Sequence, residues 1–278
     1  MSKKIGITLG DPAGVGPELI LKISRHFKKD FAYVIYGEEK TLLKASELTG
    51  ITLTYEKVDE VKDVKESGIY LVDLKLLKVP VVEPSPTSGK IAIAYLARAV
   101  ADAVRGNLQG ILTMPISKFW AKKAGFQYEG QTEYLAKASG TKEYAMMMYS
   151  KKLKVVLLTT HLPLKDVPKF VKKEKILKKI RLIKREFLSK FKAEPLIKVL
   201  GLNPHAGEMG ELGREEIEEI IPAVEEAKKE GIKVEGPLIP DVAFINPLEK
   251  DVFLCMYHDQ GLIPFKMLAF NEGVNFTL

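Results

Sequence analysis

Three of the four histidines in the sequence stand just after short apolar runs that have the composition of buried strands. They are His161, His205 and His258. The runs before them are residues 155–160, 196–200 and 252–257. In open α/β sheets, ligands bind at the edge where the carboxyl ends of the parallel strands meet. Three imidazoles at that edge predict a site for one divalent metal with positions left open for substrate or water.

The spacing of these histidines leaves an alternative open. They are separated by 44 and 53 residues, and this spacing matches no short zinc motif. The alternative interpretation is that they are three unrelated histidines on loops. The fourth histidine, His26, lies beside Arg25 and Lys28 at a predicted helix end. A cation is favoured there, and we interpret His26 as an exposed surface residue.

Two further segments have residue types that suit ligand binding. Residues 10–18, GDPAGVGPE, join a predicted strand to a predicted helix, but they match neither the dinucleotide fingerprint nor the P-loop. A plain turn is the alternative. In residues 130–135, GQTEYL, Thr132 is predicted to cap a short helix, whose N-terminus could instead receive an anion. Lys266 could meet a phosphate, although a surface lysine is the simpler interpretation.

Composition sets the class of protein. The chain has 278 residues, 46% hydrophobic and 28% charged, and no apolar stretch long enough to span a membrane. Its net charge of +7 permits an anionic partner. The basic residues between 165 and 192 spread around one amphipathic helix without an aromatic platform, so we expect no nucleic-acid binding. The single cysteine, Cys255, excludes an internal disulfide and favours a cytoplasmic location.

The elements that must position these residues alternate between strand and helix. This alternation predicts an α/β fold with a mainly parallel sheet, arranged as two tightly packed lobes. Ser88 is expected to cap a helix over residues 88–105. Two more long helices are predicted over residues 166–191 and over residues 213–230, the latter kinked at Pro222.

Four motifs occur together in one order along the chain. They are GDPAGVGPE at 10–18, TE at 132–133, NPHAGE at 203–208 and HDQG at 258–261. Together they resemble the 4-hydroxythreonine-4-phosphate dehydrogenases of pyridoxal phosphate biosynthesis, and the resemblance runs from residue 5 to residue 278. It implies a two-domain fold like that of isocitrate and isopropylmalate dehydrogenases, with an interdomain cleft. The expected lobes are interleaved: about 1–130 with part of the C-terminal region, and about 131–250.

The resemblance also implies site residues, cofactors and partners. The metal, Zn, Mg or Co, is expected on the three histidines, with His258 supplied by the partner subunit of a homodimer whose active site is shared. The expected cofactor is NAD or NADP, and the expected substrate is a small phosphorylated molecule. The implied substrate contacts are Thr132, Lys266 and Asn275. The implied catalytic residues are Lys118, Asp241 and Asp259.

Two departures from the family pattern bear on this expectation. The family usually has His before the Thr-Glu pair, whereas this chain has Gln131, which cannot take a proton near neutral pH. The family also continues beyond the position of Leu278 with an arginine that holds the substrate phosphate. We therefore expect a sequence that ends at Leu278 to bind cofactor and phosphate less well.

The implied reaction is oxidation of 4-hydroxy-L-threonine 4-phosphate at C3, followed by decarboxylation to 3-amino-2-oxopropyl phosphate. Three alternatives stay open at this point. The substrate could be a related sugar acid, erythronate or threonate 4-phosphate. The metal could serve a hydrolase, which would need no nicotinamide. The chain could also be a truncated, inactive dimer that binds metal.

Overall fold

A computed structural model of the chain describes residues 2–278. The chain divides into two compact units, of which the first ends at Lys142 and the second begins at Glu143. Each unit has its own sheet. The division lies later than the expected one near residue 130. The last strand of the chain pairs within the second sheet.

The first unit contains a five-stranded sheet in which every neighbouring pair of strands is parallel. The strand order is β3-β4-β2-β1-β5. The elements are β1 (Lys3–Thr8), α1 (Gly16–Ser24), β2 (Phe31–Gly37), α2 (Glu39–Thr49), β3 (Glu56–Lys57), β4 (Gly68–Asp73), α3 (Pro86–Val104), β5 (Gly110–Thr113), α4 (Lys118–Lys123) and α5 (Gln131–Ser139).

Both faces of this sheet are buried, which explains the nearly continuous apolar runs in its strands. Along β2, Ile35 packs into one hydrophobic cluster, while Val34 and Tyr36 pack into a second one. Successive side chains of a strand point to opposite faces, so the two clusters lie on the two sides of the sheet. Helix α3 contributes to both clusters through Tyr95 and Ala99.

The second unit contains a six-stranded mixed sheet in the order β11-β6-β7-β10-β8-β9. Strands β7, β10, β8 and β9 are parallel, whereas β6 pairs antiparallel with both of its neighbours, β7 and β11. The elements are β6 (Met146–Tyr149), β7 (Lys154–Leu157), α6 (Val167–Phe170), α7 (Lys173–Glu186), β8 (Leu196–Leu200), α8 (Ile221–Lys229), β9 (Val234–Leu238), β10 (Asp251–Cys255), α9 (His258–Ala269) and β11 (Val274–Thr277).

Three helix predictions differ from the structure. The N-cap of α3 is Ser85 and not Ser88, which lies three residues later and completes a capping box. The helix predicted over 166–191 is broken, because the chain is extended at Val171 and α7 begins at Lys173. The helix predicted over 213–230 begins with a π turn over Glu216–Ile220, and Pro222 then lies in the first turn of α8. Ile220, which precedes α8, is itself helical, so α8 continues the π turn without a break.

Among residues 2–278, none of the helices combines the length and the apolar character that crossing a membrane requires.

The capping box of α3 predicts a measurable loss of stability. The hydroxyl of Ser85 accepts a hydrogen bond from the N–H of Ser88 at 3.2 Å, and the hydroxyl of Ser88 accepts one from the N–H of Ser85 at 3.0 Å. We expect Ser85→Ala to lower the free energy of unfolding by about 1 kcal/mol. Denaturant titration measures it, with exposed Ser139→Ala as the control. An effect no larger than that of the control would contradict the capping role.

Candidate active site

The three predicted metal ligands follow neighbouring parallel strands of the second sheet. Strand β10 lies between β7 and β8, and the pairing of Cys255 with Leu157 sets the ends of β10 and β7 level. His161 follows β7, His205 follows β8, and His258 is the first residue of α9, directly after β10. The parallel alignment therefore directs all three loops to the same edge of this sheet.

Two of these histidines lie side by side. The ring centroids of His161 and His258 are 5.6 Å apart. The Nδ1 atom of His258 lies 2.6 Å from Oδ1 of Asp259, so a proton on Nδ1 is donated to the carboxylate and Nε2 is left free as a metal ligand. Both rings belong to one chain. The assignment of His258 to the partner subunit stays a prediction.

His205 lies on an unusual turn. The backbone from His205 to Met209 is left-handed throughout, with φ between 43° and 81°. The side chain of His205 is 62% exposed, and its Nδ1 lies 3.6 Å from Oε2 of Glu208. Residues that have a Cβ adopt this backbone only at a cost, and such strain is concentrated at functional sites.

Polar side chains that the sequence patterns did not single out hold these loops. The side chain of Gln260 accepts a hydrogen bond from the N–H of Met256 and donates one to the carbonyl of Gly201, both at 2.7 Å. The Thr159 hydroxyl donates to the carbonyl of Met256 at 2.7 Å. These bonds join the loop after β10 to the loops after β8 and β7. The signal in the sequence was only that Gln260 lies within the HDQG motif.

The buried carboxylate of Glu216 anchors the loop that carries His205. One oxygen accepts hydrogen bonds from the N–H groups of Leu202 and Asn203 at 2.7 and 2.8 Å. The other accepts one from the amide of Asn203 at 2.9 Å. Glu216 is 1% exposed. No motif indicated this role, since Glu216 stands in a run of glutamates on a helix that appears solvent-facing in the sequence.

The chemistry of the donor set suits a divalent metal, although His205 does not join the other two ligands. Neutral imidazoles bind Zn, Co, Ni and Fe. Within residues 2–278, however, no three His, Cys, Asp or Glu side chains lie close enough to share a metal ion.

Cys255 is free and fully buried, and burial raises the pKa of its thiol, so it stays protonated beneath the histidine edge. Burial, followed by the nearby Asp259 charge, also raises the pKa of Tyr257, which keeps that phenol neutral.

The other predicted site residues of the second unit are exposed. Lys266 lies in the last turn of α9, Asn275 lies on β11 opposite Met148, and Asp241 lies after β9. In the part of the chain that the structure describes, none of the three makes a hydrogen bond or an ion pair with a histidine.

The first unit brings a second set of predicted residues together at the carboxyl edge of its sheet. The N–H of Asp11 donates to the carbonyl of Pro115 at 3.0 Å, and the amide of Gln131 donates to the carbonyl of Met114 at 3.2 Å. A Cβ on Gly130 would lie 3.9 Å from Cε of Lys118. The glycine-rich loop, the segment after β5 and the start of α5 therefore meet here.

Thr132 is not the helix cap that the sequence predicts. The N-cap of α5 is Gly130, and no side chain caps this helix. Thr132 lies inside the first turn, so its hydroxyl is left for another partner. The glycines of the loop have a packing role: a Cβ on Gly10 would lie 2.3 Å from the carbonyl oxygen of Pro115, and one on Gly16 would lie 2.0 Å from that of Leu9.

Gln131 has one hydrogen-bonding atom without a partner. Its Nε2 is held by the Met114 carbonyl, which fixes the orientation of the amide. Its Oε1 is buried and accepts no hydrogen bond from any residue in the described range 2–278. A buried acceptor without a donor is costly.

Comparisons with known proteins identify the family. The sequence profile of the family described as pyridoxal phosphate biosynthetic protein PdxA matches residues 29–278. The 4-hydroxythreonine-4-phosphate dehydrogenase of Aquifex aeolicus is 83% identical over 278 residues, covering 100% of this chain and 87% of that protein. The protein of the same name from Hydrogenobaculum sp. is 57% identical over 276 residues, covering 99% and 87%.

A solved structure agrees. The crystal structure of 4-hydroxythreonine-4-phosphate dehydrogenase from Klebsiella pneumoniae aligns with a TM-score of 0.88 at 36% identity, covering 100% of this chain and 86% of that one. These likenesses confirm the predicted fold class, a mainly parallel α/β fold of the isocitrate dehydrogenase type. The chain belongs to the pyridoxal phosphate biosynthetic protein PdxA family and is a dehydrogenase.

Proposed function

We propose that this chain oxidises 4-hydroxy-L-threonine 4-phosphate at C3 with NAD or NADP in a reaction that depends on a divalent metal. Loss of CO2 from the resulting β-keto acid then gives 3-amino-2-oxopropyl phosphate. The names of the relatives support the substrate. The structural observation that carries the proposal is the pair His161 and His258 at the carboxyl edge of the second sheet, with Asp259 on the second ring.

In this proposal His161 and His258 hold the metal through their free ring nitrogens, and His205 completes the set. A bound divalent metal supplies Lewis-acid polarisation of the substrate hydroxyl and of the new carbonyl, and the nicotinamide accepts the hydride. Asp259 keeps His258 in one tautomer and in one orientation. The neighbouring Tyr257 adds no negative charge, and Cys255 stays a buried thiol.

Substrate binding is assigned to the residues that the resemblance implies. Lys266 and helix-end amides would hold the phosphate, and Asn275 and Thr132 would hydrogen-bond the rest of the molecule. Gln131 joins this set through its unpaired Oε1, which can accept from a substrate hydroxyl or ammonium group. Lys118 and Asp241 remain candidates for proton transfer from the C3 hydroxyl.

The metal ligands are tested first. NADH formation from NAD and 4-hydroxythreonine 4-phosphate is followed at 340 nm before and after chelation of the metal. We expect chelation to stop the reaction. We expect His258→Ala to lower kcat/KM by more than about 100-fold, because the loss even of supporting residues around a metal costs 10–100-fold.

The control for this test is His26→Ala, which removes the one histidine outside the proposed site. Undiminished turnover after chelation, or in His258→Ala, would contradict the metal proposal. Side-by-side turnover of threonate 4-phosphate distinguishes the related sugar-acid substrate. Hydrolysis of a phosphoester without NAD reduction would indicate the metal hydrolase instead.

A second prediction concerns Gln131. We expect Gln131→Ala to raise KM for the phosphorylated substrate by about 10-fold, which is the loss of about one hydrogen bond in a water-poor site. The exposed Gln127→Ala is the matched control. A KM that is the same in both variants would exclude Gln131 from the substrate contacts.

Self-association is also part of the proposal. The apolar side chains of Ile263 and Met267 on α9 and of Phe270, its C-cap, are 59%, 81% and 74% exposed. They recur at steps of four and three, so they share one face of the helix. Exposed apolar patches of this kind mark interfaces. We assign this face to a second copy of the chain.

The assembly is measured by size-exclusion chromatography with light scattering. We expect a particle with twice the mass of one chain for the wild type, and Met267→Lys should shift it toward the monomer because a charge is then buried at the interface. Leu48→Lys, at an apolar position in the first unit that is 68% exposed, should leave the dimer intact. A Met267→Lys protein that remains fully dimeric would place the interface elsewhere.

A further inference from the structure

We infer that Glu216 is a positioning residue, whose buried carboxylate fixes the turn that presents His205. This inference rests on the proposed role of His205 as a metal ligand. Glu216 does not reach the ligand ring itself. It binds the two residues at the start of the loop, Leu202 and Asn203, through three hydrogen bonds.

The carboxylate also occupies the space inside the loop. A Cβ on Gly207 would lie 2.6 Å from Oε2 of Glu216, and one on Gly201 would lie 3.1 Å from Oε1. Backbone from both ends of the loop therefore closes around the same side chain. Gly207 is itself in the left-handed part of the turn, with φ of 81°.

The turn needs such support because its own backbone is disfavoured. His205, Ala206, Glu208 and Met209 all have φ between 43° and 55°, and each has a Cβ. The side chains of His205 and Met209 are 62% and 97% exposed, so packing does not hold them. The turn is held by hydrogen bonds at its base, and Glu216 accepts three of them.

The local helix geometry explains why this glutamate turns inward. Glu216 is the first residue of a π turn that ends at Ile220. π turns shift the helix face by inserting an additional residue and are frequent near functional sites. Asn203 also donates to Glu215 at 2.8 Å, but Glu215 makes no bond to the backbone of the loop. Glu216 is therefore the residue that sets the loop's path.

The first unit offers a matched control residue, Glu38. Glu38 is likewise 1% exposed, and its carboxylate accepts hydrogen bonds from the N–H groups of Leu76 and Leu77. No histidine lies on the loop that it holds. Glu38→Gln and Glu216→Gln therefore make the same chemical change at equally buried loop anchors, and only one of them supports His205.

The first readout is independent of metal. In metal-free protein labelled at histidine Cε1, we expect Glu216→Gln to shift or broaden the NMR resonance of His205 and to leave that of His26 unchanged. Glu38→Gln should leave both resonances unchanged. A His205 resonance identical in wild type and Glu216→Gln would overturn the inference. Because Gln keeps the size of the side chain and one acceptor oxygen, the variant is expected to fold.

The second readout is the Kd for Co2+ in the full chain. We expect Glu216→Gln to weaken binding by about 10-fold and Glu216→Ala by about 100-fold, as for residues that orient ligands. Equal affinity of Glu216→Gln and Glu38→Gln would make Glu216 a purely structural anchor and would overturn the inference. If His205→Ala binds Co2+ as tightly as the wild type does, the proposed metal role of His205 fails, while the NMR comparison still decides whether Glu216 positions the turn.

Discussion

The parallel ladder formed by β7, β10 and β8 is the constraint on which the candidate site depends. Its backbone hydrogen bonds set the ends of the strands level, and the pairing of Leu157 with Cys255 fixes that register. Because neighbouring parallel strands end at the same edge of the sheet, residues that follow these strands lie close together although they are far apart in the sequence. A change in this register would separate His161 from His258 before any change in their own side chains.

The parallel strands by themselves bring these loops only to the carboxyl edge of the second sheet. Within the edge, buried polar side chains fix their paths, because loop N–H and C=O groups removed from water need partners. Gln260 and Thr159 serve the loops after β10 and β7, and Glu216 serves the loop after β8. In the first unit, Asp11 and Gln131 have the same relation to the loops after β1 and β5. The two edges are thus organised by one principle, with different residues.

Much of the fold could be predicted from the sequence, because buried parallel strands are nearly uninterrupted apolar runs. This signal located β8 and β10 within a residue or two. It missed β9, where Gly236 and Pro237 interrupt the strand, and β11, whose side chains are mostly exposed at the sheet edge. The sequence also showed no sign of the break at Val171, because the helical spacing of apolar residues continues through it. Tertiary contacts mark the start of α7, such as the hydrogen bond from the N–H of Lys173 to Glu219.

The residues of the candidate site also fall into two groups, those that the sequence could predict and those that it could not. The histidines could be found from the sequence, because residue type and position after a strand are local properties. The supporting residues could not be found, since Glu216 and Glu218 look alike in the sequence and differ only in which side of the π turn they occupy.

The most direct measurement of the central claim is anomalous X-ray scattering from crystals of the chain grown with Co2+. The account predicts one strong peak about 2.0–2.1 Å from imidazole nitrogens of His161, His205 and His258, which requires the His205 turn to approach the other two rings. A peak bound by other residues, or a peak on His161 and His258 that leaves His205 unbound, would contradict the three-histidine site.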